Sequence, residues 1–323
     1  MTEGRATFFQ DVLDCLRETE RSGLASNKEH DVLGGLTGKK TVGALRSLCG
    51  LFADDPGACY LEIGVFQGLT LLSVAVNHPD FPCFGIDNFS LLDPEGKNLE
   101  IVRERIERLG ADNALLINED FEDALEDLDR HLGSRKIGVF FVDGAHDYRS
   151  QLVALMLAFP YLHERAVILV DDSNYAYVRQ STRDFLVTHP DYRMVFEAYT
   201  PGHPTNLDAE TLKACEDGWL NGINVLVRDP GGLFPEMLPP TERDRTLFVN
   251  EWLAHRHQLA ELAPEALRLA QAVCHGDADG EAARRAELEE RYSTMRAAFE
   301  KRFKDSNTYS AGLTEARFNR LND

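Results

Sequence analysis

The sequence predicts an α/β fold, a doubly wound, mostly parallel seven-stranded sheet with helices on both faces, and two observations carry that prediction. Seven short apolar or β-branched runs recur at residues 59–63, 83–86, 114–117, 137–142, 166–170, 194–196 and 223–227. Between most of them lie helix-length amphipathic segments such as NLEIVRERIERLG and SQLVALMLAFPYLHE, and that alternation is the pattern of strands joined by crossover helices. Composition agrees: 43% hydrophobic and 27% charged residues describe an ordinary globular chain. At 323 residues it exceeds one average domain.

Ahead of the alternating part, residues 8–52 hold two helix-like segments, FFQDVLDCLRE and TVGALRSLCGLF, with apolar residues at three- and four-residue intervals. The Gly-rich stretch 33–38 separates them. After the last run, DPGGLFPEMLPP begins at Asp229 and breaks the pattern with four prolines. From 241 to 304 the pattern is helical, interrupted by HGDADG at His275, and alternating charge as in RRAELEERY marks a solvated face beside an apolar stripe with Trp252 and Phe299. The chain therefore divides into 1–57, an N-terminal helical part, 58–230, the α/β domain, and 231–323, a C-terminal helical extension. Two long helices after a Pro-rich linker need somewhere to bury their apolar faces, so a homo-oligomer through the terminal helices is expected.

Charge and termini bound the partners. A net charge of −20 repels phosphate backbones and anionic lipid at long range, which argues against nucleic acid and membrane partners. No run approaches a membrane span, and MTEGRATFFQDVLDC lacks the basic region and apolar core of a signal peptide, so a cytoplasmic protein is expected. The six cysteines are scattered without CxxC or zinc-ligand spacing and read as reduced core thiols.

The chemistry concentrates where the runs end. In YLEIGVFQGLT a strand enters Gly64, then Gly68, then a helix, which brings backbone N–H groups and a helix N-terminus close to a ligand. The spacing is not the GxGxxG of dinucleotide binding, and Glu62 at the strand end repels phosphates but attracts a cation, such as the amino group or sulfonium of S-adenosylmethionine. The next run ends FGIDNF, placing Asp87 where a carboxylate accepts from ribose hydroxyls, and the third ends INEDFEDAL, with Asp120 and Phe121 on the rim where an adenine would lie. For Asp87 and Asp120 a helix cap or solvent-facing loop is an equal alternative. The fourth and fifth runs continue as VFFVDGAHDYRS and AVILVDDSN, so Asp143, Asp171 and Asp172 end adjacent strands. Three carboxylates so close invite a divalent cation, and oxygen-only ligands favour Mg2+, with Mn2+ or Ca2+ as substitutes, over zinc. Asp171 and Asp172 both reach it only if the strand has already turned; capping of the following helices is the alternative for each.

EIGVFQG with an acidic end to the second strand resembles the class I S-adenosylmethionine-dependent methyltransferases, over roughly residues 58–228. VDGAHDY followed by VDD is similar, more narrowly, to the metal-dependent O-methyltransferases of antibiotic sugars, and more distantly to catechol and caffeoyl-CoA O-methyltransferases. The resemblance implies a Rossmann-like sheet in the family's order, with its last two strands an antiparallel hairpin at one edge. It implies a donor site of Glu62, Gly64, Gly68, Thr70, Asp87, Asp120, Phe121 and Asp143. It also implies a metal site of Asp143, Asp171 and Asp172, and N-terminal lid helices that bring Lys39, Lys40 and Thr41 toward the donor. His146 falls where the antibiotic-sugar enzymes place a catalytic histidine and the catechol type a lysine; near neutrality it could deprotonate a metal-held hydroxyl. Asp147 would orient the imidazole or cap the next helix, and Asn174 and Tyr175 would line the acceptor pocket.

The reading is a Mg2+-dependent O-methyltransferase for a small-molecule hydroxyl, a vicinal diol of a sugar or glycosylated natural product. Three rivals stand beside it: a metal-independent methyltransferase, a nicotinamide-dependent oxidoreductase, which the missing GxGxxG disfavours, and a non-catalytic scaffold built on the C-terminal helices.

Overall fold

A computed structural model describes residues 2–23, 33–241, 260–307 and 316–322. Helices α1 (Thr2–Ser22) and α2 (Lys39–Gly50) precede the α/β part. There β1 (Ala58–Ile63), β2 (Cys83–Ile86), β3 (Ala114–Ile117), β4 (Lys136–Val142) and β5 (Leu162–Asp171) alternate with α3 (Leu69–Asn77), α4 (Asn98–Leu109), α5 (Phe121–Glu126), α6 (Asp129–Leu132) and α7 (Tyr148–Ala158). Then follow α8 (Ala176–Thr188), β6 (Tyr192–Ala198), α9 (Ala209–Asp217) and β7 (Ile223–Arg228).

The strand order is β3-β2-β1-β4-β5-β7-β6-β8, parallel through β5, with β7 antiparallel to both its neighbours. All seven runs expected from the sequence are strands. β5 begins at Leu162, four residues earlier than its apolar run, because His163, Glu164 and Arg165 hide its start from a hydrophobicity reading. The eighth strand, β8 (Arg317–Phe318), is a correction: it pairs antiparallel with β6, so the β6–β7 hairpin is not at the sheet edge. Two residues are too few to register as a periodic run.

Side chains along each strand alternate between two cores. On one face Tyr60, Val139, Phe141, Val167 and Leu169 meet the apolar stripes of α1, α2 and α3, including Phe9, Val12 and Leu45, and Phe52 just after α2. On the other, Leu61, Phe140, Ile168 and Val170 meet Leu125, Leu155, Val178 and Phe185 of α5, α7 and α8. Glu62, two residues after Tyr60, is thus aimed into the first face.

After β7, helices α10 (Ala263–His275) and α11 (Ala278–Asn307) contact each other across the left-handed turn at Gly276. Nearly all their described side chains are exposed or partly so. Trp252 lies outside the described residues, as does the side chain of Phe299. No helix among the described residues is long and apolar enough to cross a membrane.

Candidate functional site

Register brings the strand ends to one level. Ile63 pairs with Ile86 and with Val142, and Val142 pairs with Val170. The next residues, Gly64, Asp87, Asp143 and Asp171, therefore leave the sheet side by side on its C-terminal rim. The order reverses between β1 and β4, the crevice where open α/β sheets bind ligands.

On the β1–β3 side the loop after β1 is wound tightly. Gly64 has φ +91°, and a Cβ there would run into the Asp143 carbonyl, so no other residue fits. Gly68, at φ +83°, caps α3, and Thr70 is buried in its first turn. Asp87 Oδ2 accepts from the N–H groups of Val65 (2.9 Å) and Phe66 (2.8 Å), and Oδ1 accepts from Phe89 (2.7 Å). Asp120 is the N-cap of α5: Oδ1 accepts from Glu122 N–H at 3.0 Å, and Asn88 Nδ2 donates to Oδ2 at 3.3 Å. Phe121, partly buried, begins that helix. Glu62 is fully buried; Tyr60 donates to its Oε2 at 2.6 Å and Oε1 has no hydrogen-bond partner. Burial pushes its pKa up to about 8, against the nearby hydroxyls of Tyr60 and Thr70.

The β4–β5 side is different. Single ligand atoms of Asp143, His146 and Asp172 all lie within 4.8 Å of one another. His146 Nε2 is 2.5 Å from Asp172 Oδ2, and its ring stacks on Tyr175, with centroids 4.9 Å apart and planes at 19°. Asp171 ends β5 and Asp172 follows at φ +55°, so the chain turns at once. Asp171 Oδ2 accepts from the Thr37 hydroxyl at 2.7 Å while its Oδ1 is buried without a partner. Among the described residues the Asp143 carboxylate accepts no hydrogen bond. Desolvation first, then the charges of Asp171 and Asp172, raises Asp143 well above the usual carboxylate range. The same causes, burial and then Asp172, push Asp171 to about 8. Burial acts on Asp172 too, but His146 and Asn221 outweigh it and hold its pKa down.

Asp147 caps α7, its Oδ1 accepting from Ser150 N–H at 3.0 Å. Asn174 is fully buried, and its amide ties the turn after β5 to Thr200 beyond β6. Lys39 and Lys40 are held in ion pairs with Asp217 (2.6 Å) and Glu20 (3.0 Å), and Thr41 is fully buried in α2. The contact from the N-terminal part comes instead from Thr37, in the Gly-rich stretch. Sequence reasoning also missed His203, whose ring lies 6.2 Å from that of Tyr175 and whose charge favours ionised Asp172. It missed Asn221, which donates to Asp172 Oδ1, although Asn-Gly just ahead of an apolar run marks a turn with positive φ.

A doubly wound sheet with a glycine-shaped loop after β1, Asp87 after β2 and a polar cluster at the switch point has the arrangement in which open α/β sheets hold ligands. Residues 61–173 match the family model of a methyltransferase domain. That stretch, from within β1 to the turn after β5, is therefore similar to a methyltransferase domain. No curated protein matches the chain. Among solved structures it is similar to an O-methyltransferase from Bacillus cereus in complex with SAH, at 14% identity over 68% of this chain and 90% of that one, with a TM-score of 0.44. It is also similar to TomG from Streptomyces achromogenes, an O-methyltransferase involved in tomaymycin synthesis and bound to SAM, at 17% identity, 68% and 90% coverage, and a TM-score of 0.42. A third is the SAH-bound methyltransferase PaMTH1 from Podospora anserina, at 13% identity, 67% and 86% coverage, and a TM-score of 0.42. Likenesses this remote say nothing about substrate.

Proposed function

We propose that the domain is a Mg2+-dependent O-methyltransferase that moves the methyl group of S-adenosylmethionine to a hydroxyl of a small molecule, a sugar or a glycosylated natural product. The observation that carries the reading is the meeting of Asp143, His146 and Asp172 at the strand ends. The donor set fits a hard cation. Among the described residues no hydrogen bond reaches the Asp143 carboxylate and Asp171 Oδ1 has no partner, so carboxylate oxygens stand unspent where burial and then mutual repulsion raise two pKa values. Asp143 and Asp172 would hold Mg2+ (or Mn2+ or Ca2+), with Asp171 beside them.

When bound, S-adenosylmethionine supplies a methyl group on a cationic sulfur, and a divalent cation at the carboxylates lowers the pKa of a hydroxyl that coordinates it. Tyr175 stacks on the His146 ring and fixes its plane, which would hold the imidazole at the rim to take the hydroxyl proton. Gly64 and Gly68 let backbone N–H groups approach the donor, and Glu62, Thr70, Asp87, Asp120, Phe121 and Asp143 are the residues assigned to it. The sugar class of acceptor rests on the VDGAHDY and VDD motifs, with histidine where the catechol type has lysine.

A second reading has its own observation. His146 and Asp172 at 2.5 Å form a carboxylate–imidazole pair that could act as a base with no metal. Titrating Mn2+ into the protein saturated with S-adenosylhomocysteine, with free Mn2+ followed by electron paramagnetic resonance, separates the two. One tight site that disappears in Asp172→Asn, together with methyl transfer abolished by chelation, is expected; transfer that survives chelation leaves the metal-free pair.

A further inference from the structure

We propose that Asn221, on the turn leading into β7, is a positioning residue of the cation site: its side-chain amide sets the orientation of the Asp172 carboxylate. The inference rests on the metal-dependent reading above. The two oxygens of Asp172 are divided between neighbours, Oδ1 to Asn221 Nδ2 and Oδ2 to His146 Nε2. A carboxylate held from both sides cannot rotate, and such outer contacts govern how well a ligand presents itself to a metal.

The backbone around Asn221 is built for this contact. Asn221 sits at φ +59° and is only 6% exposed. Asn174 N–H donates to the Asn221 carbonyl at 2.9 Å and Ser173 N–H to the Gly222 carbonyl at 3.1 Å, so two turns are laced together. Asp172 lies at the head of one and Asn221 in the other. Gly222 permits the approach: a Cβ there would come within 2.6 Å of Asn174 Oδ1. From beneath, the fully buried Arg179 donates to the Ser173 and Asn174 carbonyls, both at 2.7 Å. Asn221 Oδ1 meanwhile is buried without a hydrogen bond. A purely structural asparagine would have both ends of its amide satisfied; this one is committed to a single carboxylate 49 residues away.

The test uses the full chain. Asn221→Gly removes the amide and keeps the positive φ, which alanine would strain. Mn2+ affinity measured by electron paramagnetic resonance is expected to fall about 10- to 100-fold, while calorimetric affinity for S-adenosylhomocysteine stays within about twofold of wild type, a pattern that general loosening of the fold would not give. Should the glycine variant not fold, Asn221→Ser, whose hydroxyl is too short to reach the same oxygen, is read in the same way. A variant that binds Mn2+ like wild type overturns the role of Asn221 alone. Wild type that binds no Mn2+ overturns the metal reading and this proposal with it.

Discussion

The two halves of the sheet rim spend their carboxylates differently. Asp87 accepts three backbone N–H groups and Asp120 caps a helix, so on the β1–β3 side the chain satisfies its own acids. On the β4–β5 side Asp143 accepts nothing among the described residues and Asp171 keeps one oxygen buried and unpartnered. An acid satisfied from within stabilises the fold. One left wanting raises its own pKa and is stable only when something from outside arrives. The same residue type is scaffold on one side and socket on the other.

Mutations can break that contrast, the largest effect first. Asp143→Asn is expected to abolish tight Mn2+ binding and, at pH 8 without metal, to raise Tm by about 3–10 °C, since it removes a charge the fold disfavours. Scanning calorimetry with and without Mn2+ checks both, and a lower Tm would erase the distinction. His146→Gln is expected to cost about 10²- to 10⁴-fold in kcat with Mn2+ affinity held within a few-fold; a large loss of affinity would make His146 a ligand instead of a base.

The pH dependence sharpens the contrast. Glu62, Asp143 and Asp171 all have pKa values raised in the folded state, Glu62 and Asp171 to about 8. Raised carboxylates contribute stability that is fully present below their unfolded values near pH 4 and is lost as pH rises through about 8. Metal-free protein should therefore lose Tm between pH 5 and 8, and added Mn2+ should restore it if two of the three acids lie at the proposed cation site. Glu62→Gln should flatten part of the loss without touching Mn2+ affinity. On the satisfied side, Asp120→Ala should cost about 1 kcal/mol as a lost cap, again with metal affinity unchanged. The smallest effect expected is from Lys39→Ala, whose exposed ion pair contributes about 0–0.5 kcal/mol.

The strands were legible because each carries a run of apolar or β-branched residues, and the rim because Asp87, Asp143 and Asp171 directly follow such runs. Turn chemistry and long-range contact were not legible in the same way. The pairing of Asp172 with Asp171 was conditional on a turn, and the left-handed backbone at Asp172 that makes it is announced by no run of residue types. Thr37 and Asn221 reach the cluster from 134 and 49 residues away, separations that no local pattern encodes. Lys39 and Lys40 looked functional as a pair of cations, but Asp217 and Glu20 neutralise them. Asn174 looked polar and available, yet it is fully buried against Thr200.

The chain returns to the sheet after its helical excursion. Arg317 and Phe318 pair with Glu197 and Phe196, Asn319 N–H donates to the Val195 carbonyl at 2.8 Å, and the Phe318 ring lies 4.8 Å from that of Phe196. The helices between β7 and β8 are thus a loop with both ends fastened. Shortening the protein from its C-terminal side would strip the cover from β6 and leave a bare row of N–H and C=O groups, open to another molecule's strand.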